Sequence, residues 1–195
     1  MRRAANIGLL RRLLRDRRGV SAVEFALIAP VMIFIYFGLV EFSQGYMAER
    51  RASHAASMVA DLVAQSGGTN IRDLESTFMI GDMIMRPFSS APLSIRVSSV
   101  TVDARGVATV EWSRAKSAKD AKGADIMPAR KRGDPIADLP PGLITDGQTV
   151  ILGETDYRYR LFIPDVILPK DIAFKRSYYL RPRTTDRIAC ADCPV

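Results

Sequence analysis

The chain of 195 residues has one histidine and two cysteines. A closed zinc site takes four nitrogen or sulphur ligands, so that supply argues against one. No P-loop, G-x-S-x-G, H-E-x-x-H or dinucleotide-binding fingerprint occurs either. Acidic pairs exist, but nothing in the sequence places two carboxylates together. The expectation is a protein that is not an enzyme and holds neither metal nor cofactor. His54 falls on a predicted helix and reads as a solvated residue rather than a general base.

A basic excess is missing from most of the chain. There are 28 Lys and Arg against 21 Asp and Glu, for a net charge of +7. Seven arginines (2, 3, 11, 12, 15, 17 and 18) fall within residues 1–19, against Asp16 alone. Residues 20–195 therefore carry 21 basic and 20 acidic side chains. No nucleic-acid partner is expected from so even a balance. A basic leader before an apolar run acts instead as a positive-inside signal, keeping residues 1–19 cytoplasmic and sending the rest across. Leu9, Leu10, Leu13 and Leu14, set among arginine pairs, fit either an amphipathic helix on the membrane face or a disordered leader.

Charge is absent from Phe25 to Val40, sixteen residues. At 1.5 Å per residue they span about 24 Å, somewhat short of the roughly 30 Å of hydrocarbon in a bilayer. Val20–Val23 and Phe42–Met47 lengthen the run, giving a transmembrane segment over 20–47 that uses the lipid bilayer as its partner. Tyr36, Phe42 and Tyr46 lie where an aromatic belt would sit. Pro30 is tolerated in a membrane helix when neighbours satisfy the freed carbonyl. The run exceeds a typical signal-peptide core, and no convincing small-x-small site closes it, so a retained anchor is the better reading. Two acids flank it. Glu41 suits the outer interface or a basic partner on another subunit. Glu24 needs a partner, a headgroup position or a snorkelling path, since a carboxylate at a helix centre costs about 2.5–3.5 kcal/mol. Cleavage after Gly19 would give Val20 a free amine able to pair with Glu24. A plain signal anchor, with Glu24 at the headgroups, remains equally open.

Beyond the membrane the helix continues as an amphipathic stretch over 48–68. Ala48, Ala52, Ala55, Val59 and Leu62 share one face, and Arg50, His54, Ser57 and Asp61 another. Gly67-Gly68 stops a helix that would run about 70 Å from Val20. Thr69 or Asn70 caps a second helix lined by Ile71, Leu74, Phe78 and Met85 and ended by Pro87. Met79, Met83 and Met85 suit a core face, or an adaptable contact surface. Strands follow at Ser94–Asp103 and Val107–Ser113, paired as a hairpin with Ala108, Val110 and Trp112 on one side. Residues 115–147 read as loop; the Arg132-Gly-Asp134 tripeptide within them is expected by chance. Thr149–Phe162 and Ala173–Arg181 are the remaining strand candidates. The fold class is α+β: a long N-terminal membrane and amphipathic helix, then a small domain over 69–195 with a second helix and a three- to four-stranded antiparallel sheet. Cys190 and Cys193 suit a local structural disulfide in an oxidising compartment. Free thiols, or a redox or metal role, are the alternatives.

Gly19-Val-Ser-Ala-Val-Glu24-Phe25 resembles the processing pattern of Flp-type (type IVb) prepilins: glycine, four variable residues, glutamate, aromatic. Over about residues 15–65 the chain is similar to the TadE-like pseudopilins of the tight-adherence (Tad) pilus. Tyr157-x-Tyr-x-Leu-Phe162 carries a weaker likeness. The resemblance implies cleavage between Gly19 and Val20 by a membrane prepilin peptidase, with Glu24 and Phe25 as packing determinants. It implies a minor subunit that primes or modulates the pilus. Its partners would be that peptidase, other pilin and pseudopilin subunits, and the inner-membrane pilus assembly platform. The chain would sit in the inner membrane as a single-pass protein, N-terminus cytoplasmic and C-terminal domain periplasmic. The alternative is an uncleaved single-pass protein with a periplasmic interaction domain.

Overall fold

A computed structural model describes residues 19–103, 106–137, 139, 140, 142, 143, 147–161 and 171–193. The basic leader before Gly19, residues 104 and 105, Phe162 and Pro194 lie outside them. The order is α1 (Val20–Gln65), α2 (Ile71–Ile84), β1 (Leu93–Val102), β2 (Ala108–Lys116), β3 (Thr149–Arg160) and β4 (Asp171–Leu180). The fold is thus α+β, with one antiparallel sheet ordered β2-β1-β3-β4.

Two compact units divide the chain, one ending at Ser43 and the other covering Gln44–Val195. In the first, the side chains of α1 from Val20 to Val40 are nearly all exposed, with Phe25, Leu27 and Phe34 among the most open. Pro30 lies within the helix. Tyr36 and Phe37 meet edge to face, ring centroids 5.7 Å apart.

In the second unit, the alanine face of α1 is one wall of the core. Ala48, Ala52, Ala55, Val59, Ala60, Val63 and Ala64 cluster with Leu93, Ile95 and Val97 of β1, Trp112 of β2, and Ile151 and Tyr157 of β3. Small side chains let the helix approach the sheet closely. Gly153 of β3 makes the closest approach, since a Cβ there would stand 2.5 Å from the Ala60 methyl. Leu62, expected on this face, is only half-buried. The face turns through Ala56, Ala60, Val63 and Ala64 instead.

Asn70 caps α2, its side-chain oxygen accepting from the Asp73 N–H at 2.9 Å. Leu74, Phe78 and Gly81 face inward. The three methionines separate: Met85 is fully buried, whereas Met79 and Met83 are about 60% exposed (60% and 61%).

The expectation that Ala108, Val110 and Trp112 share a side is corrected by the register of β2. Ser99 pairs with Trp112 and the next residue, Val100, pairs with Val110, so Glu111 is the extra residue of a bulge. The bulge reverses the alternation. Trp112 joins the helix-side core, while Ala108 and Val110 join a second cluster on the far face with Val100, Val102, Val150 and Leu152. Part of the 115–147 loop seals that face through Ile136, Leu139 and Leu143. The Arg132-Gly-Asp134 tripeptide is part of this cover. Gly133 has φ +84°, left-handed backbone that suits glycine. Its N–H reaches the Val110 carbonyl at 2.8 Å, and the Val110 N–H returns to Asp134 O at 3.0 Å.

Candidate functional site

The first candidate lies at the start of α1. Gly19 precedes the helix and Val20 opens it. A Cβ on Gly19 would meet no described atom within 4 Å, and its backbone is not left-handed. Neither its backbone angle nor any described neighbour therefore requires glycine at that position. Glu24 and Phe25 follow one turn in, both exposed, Phe25 at 71%. The helix thus presents an acid and an aromatic ring on an otherwise apolar, uncovered surface. The helix satisfies its own backbone groups, as hydrocarbon demands, except for the carbonyl one turn before Pro30, which lacks its usual N–H donor. Exposed apolar side chains over more than five turns gain nothing in water and suit a lipid or helix-packed surrounding.

The C-terminal segment forms the second candidate. Cys190 and Cys193 are joined in a disulfide with Cα atoms 5.5 Å apart. Joined this way, the sulphurs cannot serve as thiolate ligands beside Asp192, although the three side chains lie together. The enclosed Asp192 accepts the Ile71 N–H at 2.7 Å, so it occupies a free donor at the start of α2. Thr69 N–H donates to Ala189 O at 2.9 Å and Ala191 N–H to Thr69 O at 3.0 Å. Further back, Arg183 N–H donates to Ala64 O at 2.9 Å and the Thr184 hydroxyl to Gln65 O at 2.7 Å. Arg183 also pairs with Asp61, and Arg187 with Glu111. Trp112 Nε1 donates to Ile188 O at 2.7 Å. The segment is a strap across the end of α1, the start of α2 and the bulge of β2.

A third cluster stands on the far face. Glu154 accepts from Arg96 Nε at 2.9 Å and Arg96 Nη2 at 3.1 Å, and from Arg130 Nη2 at 2.9 Å. Arg96 Nη1 donates onward to Pro128 O at 2.8 Å. Burial pushes the Glu154 carboxyl up, but the hydrogen bonds and charges of Arg96 and Arg130 outweigh it and hold the group below its usual range. The network ties the covering loop to the sheet, which gives it a structural role. Sequence reading missed it because Arg96 and Glu154 meet only through strand register.

The sequence-chosen residues therefore fall into two places: Gly19, Val20, Glu24 and Phe25 at the start of α1, and Cys190 with Cys193 in the strap. His54 is exposed on α1.

Residues 19–61 match the family model described as TadE-like protein. The match opens on Gly19 and covers the apolar run and most of the alanine face; α2 and the sheet lie beyond it. No curated protein and no solved structure matches the chain.

Proposed function

From a TadE-like segment beginning at Gly19, which together with the apolar helix fits a Tad pilus-related membrane protein, we propose a minor pseudopilin-like subunit for assembly of a Flp/Tad-type pilus. Prepilin peptidase cuts between Gly19 and Val20. The new Val20 amine pairs with Glu24 of its own or a neighbouring chain when the apolar helices bundle. That pairing removes the cost of burying either charge alone. Before assembly the helix anchors the chain in the inner membrane, with the domain on the periplasmic side. Afterwards the same exposed face packs against other pilin and pseudopilin helices at the assembly platform. The TadE-like family is a structural pilus component and not an enzyme family, and the proposed role needs no catalytic group.

One observation carries the reading: the uncovered apolar helix begins one residue after a glycine that no described neighbour and no left-handed backbone calls for. The test is the N-terminal residue of the protein recovered from its native membrane, by intact mass or terminal sequencing. The expected start is Val20, and a Gly19 substitution should leave the precursor uncut. A wild-type start at Met1 would overturn processing and leave an uncleaved anchor. A start beyond Met47 would mean a secreted domain with no anchor.

A further inference from the structure

A groove of about 690 Å³ runs along α1 from Tyr46 to Ser57, with Tyr178 of β4 on its other side. Its chemistry is that of an anion site. Arg50, Arg51 and His54 line it, together with Tyr46, Ser57 and the Ser53–Tyr178 pair, whose hydroxyls are hydrogen-bonded to each other. Its carboxylate, Glu49, is held by Arg176 at 2.8 Å, so the arginines of the groove leave it positive. Arg51 also donates to Ile84 O at 3.1 Å, which fixes that side chain against the end of α2. Arg50 and Arg51 are both exposed, and the Arg50 guanidinium lies over the Tyr46 ring, 5.7 Å from the centroid.

The direction of Arg50 matters. Side chains on a helix lean toward its N-terminus, and here that is toward the apolar run. The transmembrane segment read from the sequence ends at Met47, which makes Tyr46 part of its interfacial aromatic belt. Arg50, whose guanidinium lies over that ring, is then within reach of the lipid headgroups.

We infer that this groove binds the phosphate-bearing headgroup of an anionic lipid from the bilayer around the anchor. Arg50 supplies the principal charge, Tyr46 the interfacial ring, and the exposed Arg51 and His54 further lining along the helix. The inference rests on the anchor reading but on no step of cleavage or assembly.

The full-length chain would be reconstituted in phosphatidylcholine vesicles containing a photoreactive phosphatidylglycerol. A parallel sample would carry a phosphatidylcholine with the same photoreactive group. Labelling of the peptide spanning 46–57 is read by mass spectrometry, separately from the basic leader. One arginine near an anionic surface contributes about 1 kcal/mol, so the expected preference for phosphatidylglycerol is about fivefold. Arg50→Gln should bring the ratio close to one, Arg50→Lys should keep most of it, and added inorganic phosphate should leave it unchanged. Equal labelling by both lipids, or a preference that survives Arg50→Gln, overturns the inference. Displacement by inorganic phosphate would make this a soluble-phosphate site and overturn it as well. A chain that fails to insert in either vesicle removes the anchor reading too, whereas insertion without headgroup preference removes this inference alone.

Discussion

Gly153 of β3 seats directly on Ala60 of α1. A Cβ at 153 would lie 2.5 Å from the Ala60 methyl and 3.2 Å from the Ala56 carbonyl oxygen. A methyl and a backbone carbonyl cannot rotate away, so the helix or the strand would have to shift. Overpacking of this kind costs about 1–3 kcal/mol, and Gly153→Ala is expected at the upper end. Gly81 offers the contrast. Its added Cβ would meet Ile95 Cδ1 at 2.8 Å, the far end of a flexible side chain. Replacing a helical glycine by alanine also favours the helix by about 1 kcal/mol. Gly81→Ala should therefore change stability by less than Gly153→Ala. Denaturant unfolding of the detergent-solubilised chain, followed by fluorescence of the buried Trp112, measures both; equal losses would contradict the seating.

Glu154 predicts an acid dependence. Its folded pKa is depressed below the ordinary 4.5, because Arg96 and Arg130 outweigh the effect of burial. In the window between the folded value and 4.5 the unfolded chain binds more protons, so stability rises with pH. The contribution is complete above 4.5 and is lost as pH falls through the folded value. Glu154→Gln should flatten that part of the stability–pH curve. At neutral pH it should cost roughly 3 kcal/mol, since two partly buried guanidinium groups lose their counter-ion. An unchanged acid slope in the variant would remove the assignment.

The strap predicts two separable losses. Asp192→Ala removes the acceptor for the Ile71 N–H and should cost about 1 kcal/mol, the usual value of a helix cap. Hydrogen exchange at Ile71 should quicken while the sheet stays protected. Reducing the Cys190–Cys193 disulfide opens a ring of only four residues, for which chain entropy gives about 2 kcal/mol. Reduction should release the strap before the domain unfolds, with cleavage near 183–187 by limited trypsin digestion as the measurement.

Glu24→Ala separates processing from packing. Glu24 is not at the proposed scissile bond, so the variant should still begin at Val20. Pilus assembly should fail, because the new amine would lack its carboxylate within the bundle. Terminal sequencing and surface-pilus recovery from the same cells give both readouts, and normal pili would sink the pairing idea.

Much of the architecture was legible where periodicity and local chemistry agree. The change from an uncharged run to an alanine face fell inside one helix, as the absence of Gly-Gly before residue 67 implied. Asn70 was readable as a cap because its side chain acts within one turn. Strand ends fell within a few residues of expectation. What stayed hidden depended on partners distant in sequence. The extra residue Glu111 leaves no mark in the alternation of β2, so the side taken by Trp112 needed the register with β1. Met85 and its neighbours Met79 and Met83 look alike until the packing of α2 separates them. Residues 115–147 lack periodicity, yet Ile136, Leu139 and Leu143 close a second apolar cluster. At the candidate processing site a local pattern singled out Gly19 and Glu24, whereas the groove beside Arg50 required β4 to bring Tyr178 across.

The strap also sets an order of events in biosynthesis. Its donors and acceptors at 183–192 satisfy Ala64, Gln65, Thr69 and Ile71, groups made more than a hundred residues earlier. A chain that becomes free to fold from its N-terminal side can pair β1 with β2 as soon as both are available, but the end of α1 and the start of α2 stay open until the strap arrives. During that interval the domain has its sheet partners and lacks its clasp. Chaperones and proteases would meet it in that half-closed form, and the delay between β4 and the strap measures how long they have.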